Sequence, residues 1–161
     1  MSSFNRRKLI LMPLVLGACG FAPAYGPQGA AAGLQGRIRV ADPSDKNAFD
    51  LVARLEERLG LPEAPRFDLT YSIRTESVGV GITPENAITR FHLTGQIDWS
   101  LVSRESGARV TGGQVQSFTA YSATGSTVAG LTAEEDAALR LMRMLADQLV
   151  TRLIATAGSW E

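Results

Sequence analysis

Cysteine, histidine and lysine are close to missing from this chain: its 161 residues hold one Cys, one His and two lysines, Lys8 and Lys46. One Cys excludes an intramolecular disulfide and a Cys-based metal cluster. One His leaves imidazole chemistry to His92 alone. No apolar run is long enough for a bilayer. Residues 9–17, broken by Pro13, would span roughly 14 Å as a helix, about half of a hydrocarbon core. Clustered Lys/Arg is also lacking, and phosphate contacts to nucleic acid need it. Formal charge balances at 16 basic and 16 acidic residues, but beyond residue 18 there are 13 basic against 16 acidic. That mildly acidic remainder disfavours non-specific attraction to an anionic membrane. An anionic ligand would have to be held by particular arginines.

What is present begins with Arg6-Arg7-Lys8 and the short apolar run, the pattern of an export signal. The Arg6-Arg7 pair suggests twin-arginine export, but without the fuller flanking pattern of that signal an ordinary basic n-region is the better reading. Leu16-Gly17-Ala18-Cys19 matches the lipobox of bacterial lipoproteins. That resemblance implies cleavage before Cys19, diacylation of its thiol and acylation of the new amino terminus. Two or three acyl chains, at about 0.8 kcal/mol per buried CH2, hold a protein on a membrane where one does not. Residues 1–18 are thus expected as signal peptide. Residues 19–36, rich in Gly, Ala and Pro, are expected as a lipid-anchored flexible tether, with Phe21 and Tyr25 docking on the domain or at the headgroups. Residues 37–161 are expected as one domain.

Within that domain, residues 37–40 alternate as a short strand. Asp42-Pro43-Ser44-Asp45 is turn chemistry, with Ser44 or Asp45 as helix N-cap. Ala48, Phe49, Val52, Leu55 and Leu59 recur at helical spacing, and Gly60 suits the C′ position. Phe67, Leu69, Tyr71 and Ile73 alternate with polar residues and run into a glycine-interrupted stretch at Val78-Gly79-Val80-Gly81. Phe91 through Leu101 is the clearest strand. A fourth strand spans about 109–121, with a bulge expected at Gly112-Gly113 because apolar parity shifts between Val110 and Val115. After a loop at 122–130, Thr132 and Glu135 form a capping box for a last helix whose face carries Ala138, Leu141, Met142, Leu145, Leu149 and Leu153. Asp136 and Arg140 form an i,i+4 pair. The order β-α-β-β-β-α predicts an α+β fold, a single four-stranded, mostly antiparallel sheet with two helices packed on one face.

No constellation for catalysis emerges. His92 lies in the polar phase of a strand, no Gly-x-Ser-x-Gly elbow accompanies it, and no metal-ligand spacing occurs. Glu56-Glu57 and Glu134-Glu135 have helical reasons to be where they are. The chain is expected to be no enzyme and to need no metal or cofactor. A sheet covered on one side presents its other face to water, with Thr70, Ser72, Arg74, His92, Thr94, Gln96 and Asp98 upon it. That face is either an ordinary solvated surface or a binding one. Arg74 and Arg90, near the strand ends around the Gly-rich turn, are the candidate ligand-binding residues, as their guanidinium forks suit phosphates.

Cys19-Gly20-Phe21, Pro23 and Tyr25-Gly26, with this element order and a long C-terminal helix, resemble the LPS-assembly lipoprotein (LptE-like) family. Leu93–Leu101 looks like the family's central strand, and 134–153 like its final helix. The resemblance implies a non-enzymatic outer-membrane lipoprotein with the domain facing the periplasm or inside a barrel. Such a protein plugs and helps assemble a large β-barrel translocon and contacts lipopolysaccharide. Gly20, where inner-membrane retention is associated with Asp, agrees with outer-membrane sorting. The family's basic loop residues have no match here: residues 82–86 and 122–135 hold no Lys or Arg. The competing reading is an auxiliary lipoprotein of a lipid-transport ABC system. A lipid-anchored periplasmic hydrolase would require His92.

Overall fold

A computed structural model describes residues 29, 33–82 and 88–160. Strand β1 (Ile38–Val40) leads to helix α1 (Lys46–Leu59), then to strands β2 (Phe67–Ile82), β3 (Ile88–Ser103) and β4 (Arg109–Ser122), and to helix α2 (Thr127–Thr156) with a terminal 3-10 turn, Ala157–Ser159. Spatial strand order is β1-β2-β3-β4. β1 pairs with β2 in parallel, and the other two pairings are antiparallel. The α+β fold and its β-α-β-β-β-α order are those expected from the sequence.

Alternation decides which face each strand buries. Odd-numbered residues of β2 and β3 point to the helices: Phe67, Leu69, Leu93, Ile97, Trp99 and Leu101 are buried. α1 begins where Asp45 accepts a hydrogen bond from the Ala48 N–H at 2.9 Å. It stops at Gly60, whose φ of 77° no β-carbon tolerates well and whose N–H donates to Glu56 O. Its buried stripe is Ala48, Leu51, Val52, Leu55 and Leu59. Phe49, expected on that stripe, is 62% exposed instead. Helical spacing leaves a choice of neighbouring stripes, and Leu51 fills the core.

α2 starts five residues before the expected cap. Ser126 is the N-cap, accepting from the Ala129 N–H at 3.3 Å. Thr132 instead sits inside the helix and donates its hydroxyl back to Val128 O at 3.0 Å. An i−4 back-bond of this kind replaces the capping box when an earlier Ser is available. α2 buries Ala137, Leu141, Met142, Leu145, Ala146, Leu149, Val150 and Leu153 against the sheet and α1. Each fully buried leucine contributes about 2 kcal/mol. The helices are joined laterally by Arg54, whose Nε and Nη2 meet the two carboxylate oxygens of Asp147 at 3.1 and 3.0 Å. Arg58 adds a third contact to Asp147 at 3.0 Å.

Two irregularities shape the sheet. Register shifts at Gly79/Gly81 and Gly81/Ile82 disturb the far end of β2, as its glycines suggest. The bulge in β4 is at Val110 and not at Gly112-Gly113. Leu101 pairs with Thr111 and Val102 with Arg109, so Val110 is the extra residue. Both glycines lie in regular register opposite Ser100 and Trp99. Parity located a bulge between Val110 and Val115 but could not say at which residue. The domain also begins earlier than the sequence indicates. Leu34 is 1% exposed, and Gly36 donates to Leu59 O at 2.9 Å. Residues 33–36 thus belong to the folded part and not to the tether, because one leucine in a Gly/Ala-rich stretch suffices to fill a core position.

Candidate functional site: the open sheet face and its far end

Even-numbered residues of β2, β3 and β4 form the face away from the helices. Register assembles them into rows across the strands: Ser72, Asp98 and Gln114 in one, Arg74, Gln96 and Gln116 in the next, Glu76, Thr94 and Phe118 in a third. Asp98 is the polar centre. It accepts from Gln114 Nε2 at 2.8 Å and from Gln96 Nε2 at 3.3 Å, and Arg74 Nη1 stands 3.3 Å from Oδ2. The two amide hydrogen bonds, helped by the Arg74 charge, hold the Asp98 carboxyl below the usual carboxylate range. Beside this network lies a shallow basin of about 430 Å³, lined by Arg74, Glu76, Thr94, Gln96 and Gln116 among others.

Further along, the face turns apolar. Phe118 is 65% exposed and Val78 45%, and the His92 ring lies 6.2 Å from that of Phe118. His92 thus borders a hydrophobic patch. Near the far end, Phe91 and Tyr121 stack with centroids 5.2 Å apart.

Arg74 and Arg90 are not brought together. Arg74 sits mid-strand opposite Gln96, while Arg90 is paired with Gly81 and Ser122 at the end of β3. Six residues of strand separate their rows, roughly 20 Å. Arg74 is also spoken for by Asp98. Arg90 has no ion-pair partner among the described residues, and it lines a polar recess of about 330 Å³ with Ser122, Tyr121, Asp136 and Arg140. Arg140 Nε is held by Asp136 Oδ2 at 2.9 Å. The recess is thus lined by an arginine of β3 and an arginine of α2, together with the Asp136 carboxylate that engages the second of them. Arg140 was read in the sequence only as half of a surface helix pair. Its place beside Arg90 depends on how α2 seats on β4. Cys19 lies outside the described residues. Among those described, no group of His, Cys, Asp and Glu is arranged to hold a metal, and no helix is long and apolar enough to cross a membrane.

The class that this architecture defines is an α+β domain, a one-layer sheet backed by two helices with its other face open. The family model LptE, described as lipopolysaccharide-assembly, matches residues 36–153, and the chain belongs to that family. Solved structures share the fold. A lipoprotein from Caulobacter crescentus CB15 aligns with a TM-score of 0.68 at 20% identity, covering 83% of this chain and 99% of that one. The rare lipoprotein B from Shewanella oneidensis aligns at 0.57 and 12%, covering 74% and 93%. Lipoprotein B from Nitrosomonas europaea aligns at 0.57 and 11%, covering 76% and 84%. At these identities the likeness is one of fold alone. No curated protein matches the chain.

Proposed function

We propose that this protein is an outer-membrane lipoprotein, anchored through acyl chains on Cys19, that plugs and helps assemble the β-barrel through which lipopolysaccharide reaches the outer leaflet. Family membership over residues 36–153 carries this reading. The open sheet face supports the plug. In the rows around Asp98 its amides, hydroxyls and Arg74–Asp98 pair suit a wide, polar barrel interior. The role is non-catalytic: the protein positions and occludes and makes no covalent change. Lipopolysaccharide phosphate is the ligand class that fits the Arg90–Arg140 recess.

Purification of the mature protein in gentle detergent, followed by mass spectrometry of what accompanies it, tests the reading. A large β-barrel in about equal amount is the expected result. Transporter subunits without a barrel would transfer the protein to the auxiliary lipoproteins of a lipid-transport ABC system. Cys19→Ser should leave an uncleaved, unacylated precursor. An unchanged mature mass would remove the anchor from the proposal.

A further inference from the structure

The near-neutral total charge conceals a polarised domain. β1 and β2 start, β3 ends and α2 ends at the same end of the sheet, which is also where the chain comes in at Gly33. Segments 33–39, 56–68, 102–111 and 153–160 make up that end, Gly36 bonding the last residue of α1, and hold six arginines against five carboxylates. At the opposite end, segments 41–50, 76–82, 88–94 and 118–140 hold three basic residues against seven acidic ones. Among the described residues Arg39, Arg66 and Arg109 have no ion-pair partner, and all three are exposed. Arg104 shares Asp68 at 3.5 Å.

Amid these arginines stand one exposed apolar side chain and a half-buried tryptophan whose indole N–H donates to Thr156 Oγ1 at 3.1 Å. Leu61 is 68% exposed. Trp160 meets Phe67 edge-on at 5.0 Å, and the Arg66 guanidinium lies 6.0 Å from the same Phe67 ring. Tryptophan, leucine and arginine together are what a protein surface carries at the headgroup level of a bilayer. Location agrees. Thirteen residues lie between Cys19 and Gly33, and a chain of that length, if unstructured, has a mean span of roughly 20 Å. The acyl anchor would therefore keep this end, and not the acidic hairpin end, close to the membrane.

We propose that the Gly33 end is a headgroup-facing surface. In the lipid-anchored protein free of its barrel, Arg39, Arg66 and Arg109 meet the phosphates of anionic lipids, with Leu61 and Trp160 at the interface. The acidic hairpin end is held away. Phosphate on lipid is the committed ligand, because the anchor supplies it at high local concentration. The inference rests on acylation of Cys19.

That acylation also provides the test, since it caps the chain's one native thiol. In the full-length, lipidated protein, Leu61→Cys and Val78→Cys each create a single labelling site, one at each end. Each is labelled with an environment-sensitive fluorophore and placed in phosphatidylethanolamine vesicles, with or without phosphatidylglycerol, containing a nitroxide-headgroup lipid. Quenching at residue 61 should exceed that at 78 by about threefold in the anionic vesicles, and fall with added salt as the charges are screened. Arg39→Glu with Arg66→Glu should abolish the dependence of quenching at residue 61 on anionic lipid and on salt. If that variant does not fold, the salt series on the parent decides. Equal quenching at both ends, or quenching at 61 that ignores lipid charge and salt, overturns the proposal. Should residue 61 contact only a co-purified acidic protein and no lipid, it is overturned as well. A Cys19 that still reacts with the label defeats the anchor reading together with this one, and intact mass identifies that case.

Discussion

Gly95 of β3 lies directly beneath Leu141 of α2: a β-carbon built on Gly95 would stand 2.9 Å from Leu141 Cδ2 and 3.0 Å from Leu145 Cδ1. The missing side chain is what lets the long helix rest on the sheet. With Leu141 and Leu145 both 0% exposed, there is little room for them to move aside. Gly95→Ala should destabilise the domain by about 1–3 kcal/mol, a typical overpacking cost. Urea unfolding of the variant measures this. Adding Leu141→Ala to Gly95→Ala should recover part of the loss relative to the sum of the single changes, since the two sites share one space.

Thr119 of β4 donates its hydroxyl to Ala137 O at 3.1 Å and is 6% exposed. It secures the same helix near its first buried turn. Thr119→Val keeps the shape and removes the donor, so stability should fall by about 1 kcal/mol. Hydrogen exchange should show the loosening first in the amides of residues 127–137, because the rest of α2 keeps its apolar anchorage.

The Asp98 carboxyl titrates below its ordinary range because Gln114 and Gln96 donate to its charged form. A depressed folded-state value means that this contribution is present above the unfolded carboxylate range. It is lost as pH falls through the folded value. In Gln114→Ala, a carboxyl-carbon NMR titration should show the Asp98 midpoint moving up towards ordinary carboxylates. Loss of stability on acidification should then begin at a higher pH. An unmoved midpoint would assign the depression to Arg74 instead.

Removal of either guanidinium from the far recess should weaken lipopolysaccharide binding. Arg90→Ala and Arg140→Ala are each expected to lower affinity by about tenfold, the scale of one charge-assisted hydrogen bond. Arg74→Ala should leave affinity nearly unchanged, because its row lies roughly 20 Å along the sheet from that of Arg90. Binding of fluorescent lipopolysaccharide to the three variants, at fixed salt, separates the recess from the open face.

Much of the fold was legible because it follows from periodicity. Phe67 to Ile73 and Leu93 to Leu101 alternate strictly, Asp45 and Gly60 bracket α1, and the Leu141-to-Leu153 stripe repeats at helical spacing. Legibility failed where two local solutions compete. Ser126 and Thr132 are both good caps, and only the seating of α2 against β4 selects the earlier one. Phe49 and Leu51 could each have joined the buried stripe of α1, and the position of the sheet selects Leu51. The β4 bulge was detectable as a change of parity, but its place at Val110 is set by pairing with β3.

The candidate site was legible to a lesser degree. Polar alternation alone indicates the open face and its members, because residue parity puts side chains on one side whatever the register. Which of those residues touch is a matter of register between strands distant in sequence. Arg74 meets Asp98 across 24 positions, and Arg90 shares a recess with Arg140 across 50. Local pattern thus dictates the elements, their order and the buried faces of β2, β3 and most of α2, since these depend on near neighbours and on the water-avoiding side chains. Packing settles the rest: that Arg74 meets Asp98, that Arg90 and Arg140 line one recess, and that arginines from several segments gather where the chain comes in. Charges act through space, and their spacing is set by packing.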